Sequence, residues 1–166
     1  MSRFNMTPGN FSGAGSPESV QQLNSLLRGE ISACETYRMA IDKIADNDQI
    51  TMDNAVILQE IERDHGIAAQ QIRQRIEQLG GEASNSSGAW GTWAQAVQGT
   101  MNLFGDSSAL KSLKEGEEHG LKDFEEALNA NSIDSDSREL IANQLIPQQQ
   151  RHVGLIDQLM NVTARS

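Results

Sequence analysis

The chain has 166 residues, with 23 acidic against 13 basic side chains and a formal net charge of −10. This length fits one domain, and so acidic a surface repels phosphate backbones, which argues against nucleic-acid binding. One cysteine excludes an internal disulfide, and no apolar run approaches the roughly 20 residues that a membrane span needs. With no apolar leader at its start, the sequence predicts a soluble protein of a reducing cytoplasm.

The N-terminal end has the composition of a tail that leads into a helix. Residues 1–15 are rich in glycine and polar residues and show no periodicity, so we predict a flexible tail ahead of one domain at 16–166. Residues 16–18 (Ser-Pro-Glu) supply a capping hydroxyl, a proline for the first helical position and a first-turn acid. The stripe of this first helix is interrupted only by Glu30. Its other members are Leu23, Leu27, Cys34, Tyr37, Ile41 and Ile44.

A second helix is predicted after the polar break at 46–49, and it ends before Gly80. Its stripe again recurs in steps of three and four, and its polar members are Glu62 and His65. The apolar members are Leu58, Ala69, Ile72, Ile76 and Leu79.

The crossover segment 82–106 begins with a polar loop and continues into a short amphipathic helix that carries Trp90 and Trp93. Two roles are open for these tryptophans. They anchor the crossover helix on the bundle, or they form the contact with a partner or with further copies in a homodimer or higher homo-oligomer, where tryptophan is a favoured anchor.

A third helix follows Asp106, and a fourth spans about 135–161. Their stripes are apolar except at Glu117 in the third helix and at Gln149 and His152 in the fourth. Four long amphipathic helices without a strand signal predict an all-α four-helix bundle, with the short crossover helix between the second and third.

An internal repeat relates the two halves of the chain. Adding 87 to a residue number maps the polar interruptions of the first hairpin onto those of the second. The pairs are Glu30 with Glu117, Glu62 with Gln149, and His65 with His152. Two matching helical hairpins are therefore expected to bring all six polar residues to one level of the bundle.

Six polar residues inside an apolar seam need a shared partner, because an isolated buried carboxylate is costly. Divalent metal ions are the simplest partner. A glutamate from each of two helices, with Glu-x-x-His from each of the others, is the arrangement of di-iron and di-manganese bundles. Oxygen and imidazole donors suit iron, manganese or zinc. A buried glutamate–histidine hydrogen-bond network without metal is the structural alternative.

The chain resembles ferritin-like proteins, and it is similar to bacterioferritin and the erythrin domain of rubrerythrin across nearly all of residues 17–162. The residues that carry this resemblance are Gly29-Glu30-Ile31-Ser32-Ala33 with Tyr37, Glu62-Arg63-Asp64-His65, Glu117 with Gly120, and Gln149-Gln150-Arg151-His152. Residues 27–30, 88–91 and 113–120 also resemble an uncharacterised, mostly proteobacterial family of ferritin-like bundles that has no established activity.

The resemblance implies a set of metal ligands. They are Glu30, Glu117, His65, His152 and, as a bridging carboxylate, Glu62. Gln149 stands where the second bridging carboxylate belongs. A glutamine is a neutral and weaker ligand, so three carboxylates remain where two divalent ions need four. We therefore expect a weaker second ion or a single bound metal.

Other departures from the resemblance narrow the cofactor. The two residues between Glu62 and His65 are arginine and aspartate, where bacterioferritin has its haem-ligating methionine, so haem is not expected. No four-cysteine module for electron entry is present. The sequence ends soon after the fourth helix, so a storage cage is not expected.

Four further residues are weighed against simpler roles. Tyr37 is either a redox-active neighbour of the metals, as the resemblance implies, or a core aromatic like its repeat partner Phe124. We expect Cys34 to be a small buried hydrophobe and His119 to be exposed. Pro147 removes a helical hydrogen bond, which either bends the fourth helix near the site or is simply tolerated.

The leading hypothesis from the sequence is a ferritin-like protein that holds one or two iron or manganese ions in the bundle core. As an enzyme it would be an oxidoreductase that oxidises Fe(II) with dioxygen or reduces peroxide. The alternative is a non-catalytic bundle, a stress-associated or interaction protein that kept a polar core.

Overall fold

The computed structural model of the chain describes residues 16–45, 52–91, 95 and 106–163. Across those residues the chain forms helices and no strand, which confirms the predicted all-α four-helix bundle. The elements are α1 (Pro17–Ala45), α2 (Met52–Gln78), a 3-10 turn (Gly88–Trp90), α3 (Asp106–Asn129), α4 (Ser135–Leu140), a π-helical turn (Ile141–Leu145) and α5 (Ile146–Thr163). The last three run together as the fourth helix of the bundle. None of the described helices is long and apolar enough to span a membrane.

Parts of the sequence prediction fall outside the described residues. They are the tail at 1–15, the polar break at 46–49 and most of the crossover helix, together with the packing of Trp90 and Trp93. The domain boundaries stay a prediction.

Two predicted helix ends have the expected hydrogen bonds. The Ser16 hydroxyl oxygen accepts from the backbone N–H of Ser19 at 3.1 Å, which caps α1. Beyond α2, Gly80 has a φ of +75°, and the N–H of Gly81 returns to the carbonyl of Ile76 at 3.0 Å. This left-handed turn favours glycine and ends the helix where the sequence predicted.

The fourth helix starts on a side chain that the sequence analysis did not single out. Asp134 accepts from the backbone N–H groups of Asp136 and Ser137, which makes it the N-cap of α4. Its carboxylate also contacts Arg75 of α2 and the hydroxyl of Ser19 in α1. One residue therefore joins three helices at this end of the bundle.

The helices pair as the repeat predicts. α1 packs along α2 and α3 along α5, and the two hairpins meet through α1 against α3 and α2 against α5. The core consists of two apolar clusters. The first includes Leu23, Leu27, Ile72, Ile76, Phe124, Ile141 and Leu145. The second includes Tyr37, Leu58, Ile61, Leu113, Ile156 and Leu159.

A layer of polar residues separates these clusters. Along each long helix the chain leaves one cluster, passes one to three buried polar residues and enters the other. Each buried leucine or isoleucine contributes roughly 1.5–3 kcal/mol, so the clusters on both sides stabilise the fold and hold the polar layer in place.

The fourth helix keeps its buried face through a π-helical turn. Ser137, Ile141, Leu145 and Gln149 are all buried at steps of four. An α-helix of 3.6 residues per turn would rotate the last of them about 120° away from the first. The wider turn at Ile141–Leu145, closed by the bond from the Ile146 N–H to the Ile141 carbonyl, absorbs this drift. The irregularity that Pro147 suggested therefore lies one turn ahead of it.

Candidate metal centre

Five of the six predicted ligands meet in the polar layer. Glu30 comes from α1, His65 from α2, Glu117 from α3, and Gln149 and His152 from α5. Each is buried, with at most 4% of its surface exposed. The repeat offset therefore predicts correctly which four helices supply the layer and at which level.

Glu117 is the hub of the layer, and each of its two oxygens has its own partners. Oε1 accepts from the Tyr37 hydroxyl at 2.5 Å and lies 3.0 Å from Nε2 of His65. Oε2 accepts from the Gln149 amide at 2.6 Å and lies 3.4 Å from Nδ1 of His152. Burial alone would raise the pKa of Glu117, but His65 and His152 outweigh burial and lower that pKa from 4.5 to about 2.

His65 lies between two carboxylates. Its Nδ1 is 2.9 Å from Glu30 Oε2, and its Nε2 is 3.0 Å from Glu117 Oε1. Carboxylates only accept hydrogen bonds, so both contacts are satisfied together only by a protonated ring. Burial would lower the pKa of His65, but Glu117 and Glu30 together raise it well above 6.5. His65 is therefore an imidazolium that balances the charge of the layer.

His152 is held from one side and left open on the other. Its Nε2 lies 3.3 Å from Asp64 Oδ2, and Asp64 is in turn paired with Arg151. Its Nδ1 has no hydrogen-bond partner although the residue is fully buried. In the tautomer that donates from Nε2 to Asp64, Nδ1 carries a lone pair that faces a carboxylate oxygen. Two acceptors that face each other in a dry core attract a cation, and an unsatisfied buried group otherwise costs about 1–3 kcal/mol.

The donor set fits a divalent metal ion. His65, Glu117 and His152 each offer a ligand atom, and these atoms lie within 4.8 Å of one another. Two imidazoles and a carboxylate suit Fe(II), Mn(II) or Zn(II). The unpartnered Nδ1 of His152 is the atom that such an ion would satisfy. Metal-ligating histidines usually donate their second nitrogen to a carboxylate, as His152 does to Asp64.

Glu62 does not join this layer. Its carboxylate lies 2.8 Å from Nε of Arg38, and its side chain is 22% exposed. Arg38 supplies the opposite charge for this carboxylate at the rim between α1 and α2, where the carboxylate stays in contact with water. The sequence placed Glu62 beside His65 as a bridging ligand; the structure brings it to Arg38 instead.

Gln149 reaches the layer, but in a different role from the expected weak ligand. Its amide donates to Glu117 twice, to the side-chain Oε2 at 2.6 Å and to the backbone carbonyl at 3.1 Å. A Cβ at Gly120 would meet this amide at 2.9 Å, so the glycine leaves room for it. Gln149 therefore holds Glu117 through its amide nitrogen.

The structure also places Tyr37, Cys34 and His119. Tyr37 contacts the layer through its hydroxyl, and its ring stacks on His65 with centroids 5.5 Å apart. Cys34 is buried, and its burial raises the pKa of the thiol to about 11, so the sulfur is protonated. The side chain of His119 is 55% exposed.

Sequence reasoning missed Asp64 and Arg151 as parts of the site. The signal was present, because the offset of 87 maps one onto the other and their charges are opposite. In a bundle of two related hairpins, such residues approach each other between α2 and α5. Arg151 also forms an ion pair with Glu60 at 2.8 Å, which holds the Asp64–Arg151 pair in place beside His152.

A family model with the description "Domain of unknown function (DUF2383)" matches residues 18–130, which is more than half of the chain. The match includes Glu30, His65 and Glu117 and stops before α4. No curated protein matches the chain.

Proposed function

The chain therefore belongs to this family, and we propose that it is a ferritin-like protein that binds one divalent iron or manganese ion in its polar layer. The observation that carries the proposal is the fully buried, unpartnered Nδ1 of His152, which faces Glu117 and lies near His65. His65, Glu117 and His152 would hold the ion. Glu30 lies behind His65 as a further acceptor.

The composition of the layer supports one ion rather than two. Two divalent ions carry four positive charges, whereas the layer itself holds only the carboxylates of Glu30 and Glu117. The Glu62 carboxylate forms an ion pair with Arg38. Gln149 is neutral, and its amide donates a hydrogen bond to Glu117. A second ion would lack both charge balance and free donors.

The surrounding residues support this assignment through their hydrogen bonds. Asp64 orients His152, while Tyr37 and Gln149 each hold one oxygen of Glu117. An iron ion bound here would supply redox chemistry toward dioxygen or peroxide. Because His65 must lose a proton before it becomes a ligand, metal binding is expected to release protons.

Titration of chelator-treated protein with Mn(II) and, under anaerobic conditions, Fe(II) tests the proposal. We expect one ion per chain and proton release, measured by calorimetry in buffers of different ionisation heat. Glu117→Gln should abolish binding, whereas Glu62→Gln is the matched control and should leave it unchanged. Binding that survives Glu117→Gln, or that Glu62→Gln removes, would contradict the proposed ligands.

The oxidoreductase part of the proposal needs a separate experiment. Fe(II)-loaded protein is mixed with dioxygen or peroxide, and ferric absorption and turnover are compared with a protein-free control. A rate above the control in the wild type, and none above it in Glu117→Gln, supports the activity. A wild-type rate equal to the control would contradict the proposed oxidoreductase activity.

A non-catalytic bundle with a polar core is the second candidate. The direct contacts of His65 with Glu30 and Glu117 favour it, because these three residues satisfy one another without a metal. It predicts that the unfolding temperature is the same with a chelator as with Mn(II) or Fe(II). The metal-binding proposal predicts a higher unfolding temperature with the metal.

A further inference from the structure

The three proposed donors are closed off from solvent, so an ion needs a path between the helices. His65, Glu117 and His152 are each at most 2% exposed. Between α2 and α5, Asp64 and Arg151 form an ion pair beside His152. The Gln148 amide also donates to the Asp64 backbone carbonyl at 3.1 Å, which ties the two helices together.

The opposite face, between α1 and α3, holds a cavity. Small residues line it on both helices, and they are repeat partners: Gly29 with Gly116, and Ala33 with Gly120. The centres of water-sized molecules can occupy about 60 Å³ of it. A single water molecule needs roughly 10–15 Å³, so the cavity has room for an ion with water beside it.

The cavity connects the polar layer with the surface. Glu30, His65 and Glu117 line its inner part, and the partly exposed Asp123 of α3 lines it as well. Among the described residues that line it there is no lysine or arginine. The lining carries three carboxylates, those of Glu30, Glu117 and Asp123, against the one positive charge of His65, so its net charge is negative and concentrates positive ions.

We propose that the divalent cation enters the polar layer through this cavity between α1 and α3, with Asp123 attracting it at the outer end. The inference rests on the proposed function and adds the route by which the site is loaded. It also explains the paired small residues, because they leave space for the ion between α1 and α3, the two helices that carry Glu30 and Glu117.

Gly29→Leu tests the route. A Cβ at Gly29 meets no atom within 4 Å, so a larger side chain fits and narrows the cavity that this residue lines. Gly154→Leu is the matched control, because its Cβ also meets nothing within 4 Å and it lies on α5 outside the cavity. Co(II) is the probe, since its absorption changes on binding, and stopped-flow mixing gives the association and dissociation rates.

A blocked passage slows entry and exit alike. Gly29→Leu should lower both rates roughly tenfold or more, which is a barrier change of about 1.4 kcal/mol, and should leave the dissociation constant unchanged. Gly154→Leu should match the wild type. Asp123→Asn should slow association several-fold at low ionic strength and less at high salt. Glu126→Gln, a nearby exposed acid, is its control.

The outcomes separate the two proposals. Wild-type protein that binds Co(II), with rates that Gly29→Leu and Asp123→Asn leave unchanged, overturns the route and leaves the proposed function standing. Dissociation that becomes faster in Gly29→Leu means a disturbed donor set and also counts against the route. Wild-type protein that binds no Co(II), Mn(II) or Fe(II) overturns both.

Discussion

His65 and His152 occupy equivalent positions in the two hairpins, yet their surroundings differ. His65 contacts a carboxylate with each ring nitrogen, Glu30 at 2.9 Å and Glu117 at 3.0 Å. His152 contacts Asp64 with one nitrogen and has no partner for the other. The first ring has a partner at each nitrogen, and the second has a nitrogen without a hydrogen bond that lies 3.4 Å from Glu117 Oε2.

The repeat fixes where the two histidines lie but not what surrounds them. The asymmetry has its origin at two other repeat positions. Gln149 replaces the carboxylate of Glu62 and turns inward to Glu117. Arg151 replaces the carboxylate of Asp64 and pairs with it across the bundle. Two changes of charge thus make the two related halves of the layer different. His65 has a partner at each ring nitrogen, whereas His152 has a hydrogen-bond partner at Nε2 alone.

The largest expected effect is the loss of the Glu117 carboxylate. Glu117→Gln leaves His65 with Glu30 as its one anionic partner. Breaking a buried ion pair costs about 3–5 kcal/mol, so we expect the free energy of unfolding in chelator to fall by about that amount. Urea denaturation measures it, and Glu115→Gln, an exposed acid on the same helix, is the control. A loss under 1 kcal/mol would mean that the histidines do not depend on Glu117.

The pH dependence of stability follows the same pair. The pKa of Glu117 is lowered from 4.5 to about 2, so its contribution of about 3 kcal/mol is present above pH 4.5 and is lost as the pH falls toward 2. The pKa of His65 is raised above 6.5, so its contribution is present below pH 6.5 and is lost as the pH rises through the folded value. The difference between wild type and Glu117→Gln, measured in chelator, should therefore be largest between pH 4.5 and 6.5. A pH-independent difference would contradict these charges.

Replacing the histidines one at a time sharpens the comparison. In chelator, His65→Gln should cost about 3 kcal/mol or more, because two buried carboxylates lose their cation. His152→Gln should cost less than about 1 kcal/mol, because one ring nitrogen there is already unsatisfied. Toward metal, both should weaken affinity by more than about 100-fold. Equal costs in chelator would show that the two rings are not as different as their contacts.

Asp64 acts on only one of the two histidines. Asp64→Asn no longer fixes the proton on Nε2 of His152, so metal affinity should fall about 10- to 100-fold. The free energy of unfolding in chelator should change by less than about 1 kcal/mol. Calorimetric titration with Mn(II) measures the affinity, and Asp42→Asn, an exposed change on α1, serves as the control. An unchanged affinity would remove Asp64 from the site.

The smallest effect is expected at the Tyr37 hydroxyl. Tyr37→Phe copies the residue that the repeat has at Phe124 and removes one hydrogen bond to Glu117, at a cost of about 1 kcal/mol in unfolding free energy. The His65 contact to the same oxygen remains. A loss above about 3 kcal/mol would mean that the tyrosine, not His65, is the main partner of that oxygen.

The sequence predicted the fold and the level of the site because both follow from periodicity. Polar residues such as Glu30 and Glu117 interrupt otherwise apolar stripes, and a carboxylate in a bundle core must have partners. Periodicity does not decide which of two neighbouring side chains turns inward. Glu62 and Asp64 flank the buried face of α2 on either side, and the charges opposite them, Arg38 and Arg151, hold each at its own rim.

The π-helical turn was also readable but was missed. The predicted stripe of the fourth helix advances by four from Ile141 to Leu145 and again to Gln149, and the buried Ser137 adds a third such step, which a regular α-helix cannot keep on one face. Sequence reasoning treats this helix as regular. Pro147 marks the same place, since its missing N–H is accommodated where the helix is already irregular.

Anomalous diffraction from crystals grown with Mn(II), or with Fe(II) under anaerobic conditions, tests the central claim most directly. The account predicts one metal peak per chain, at about 2.0–2.3 Å from Nδ1 of His152 and from Glu117, with none beside Glu62. An empty polar layer in metal-saturated crystals, with His65 still bonded to both Glu30 and Glu117, would contradict it.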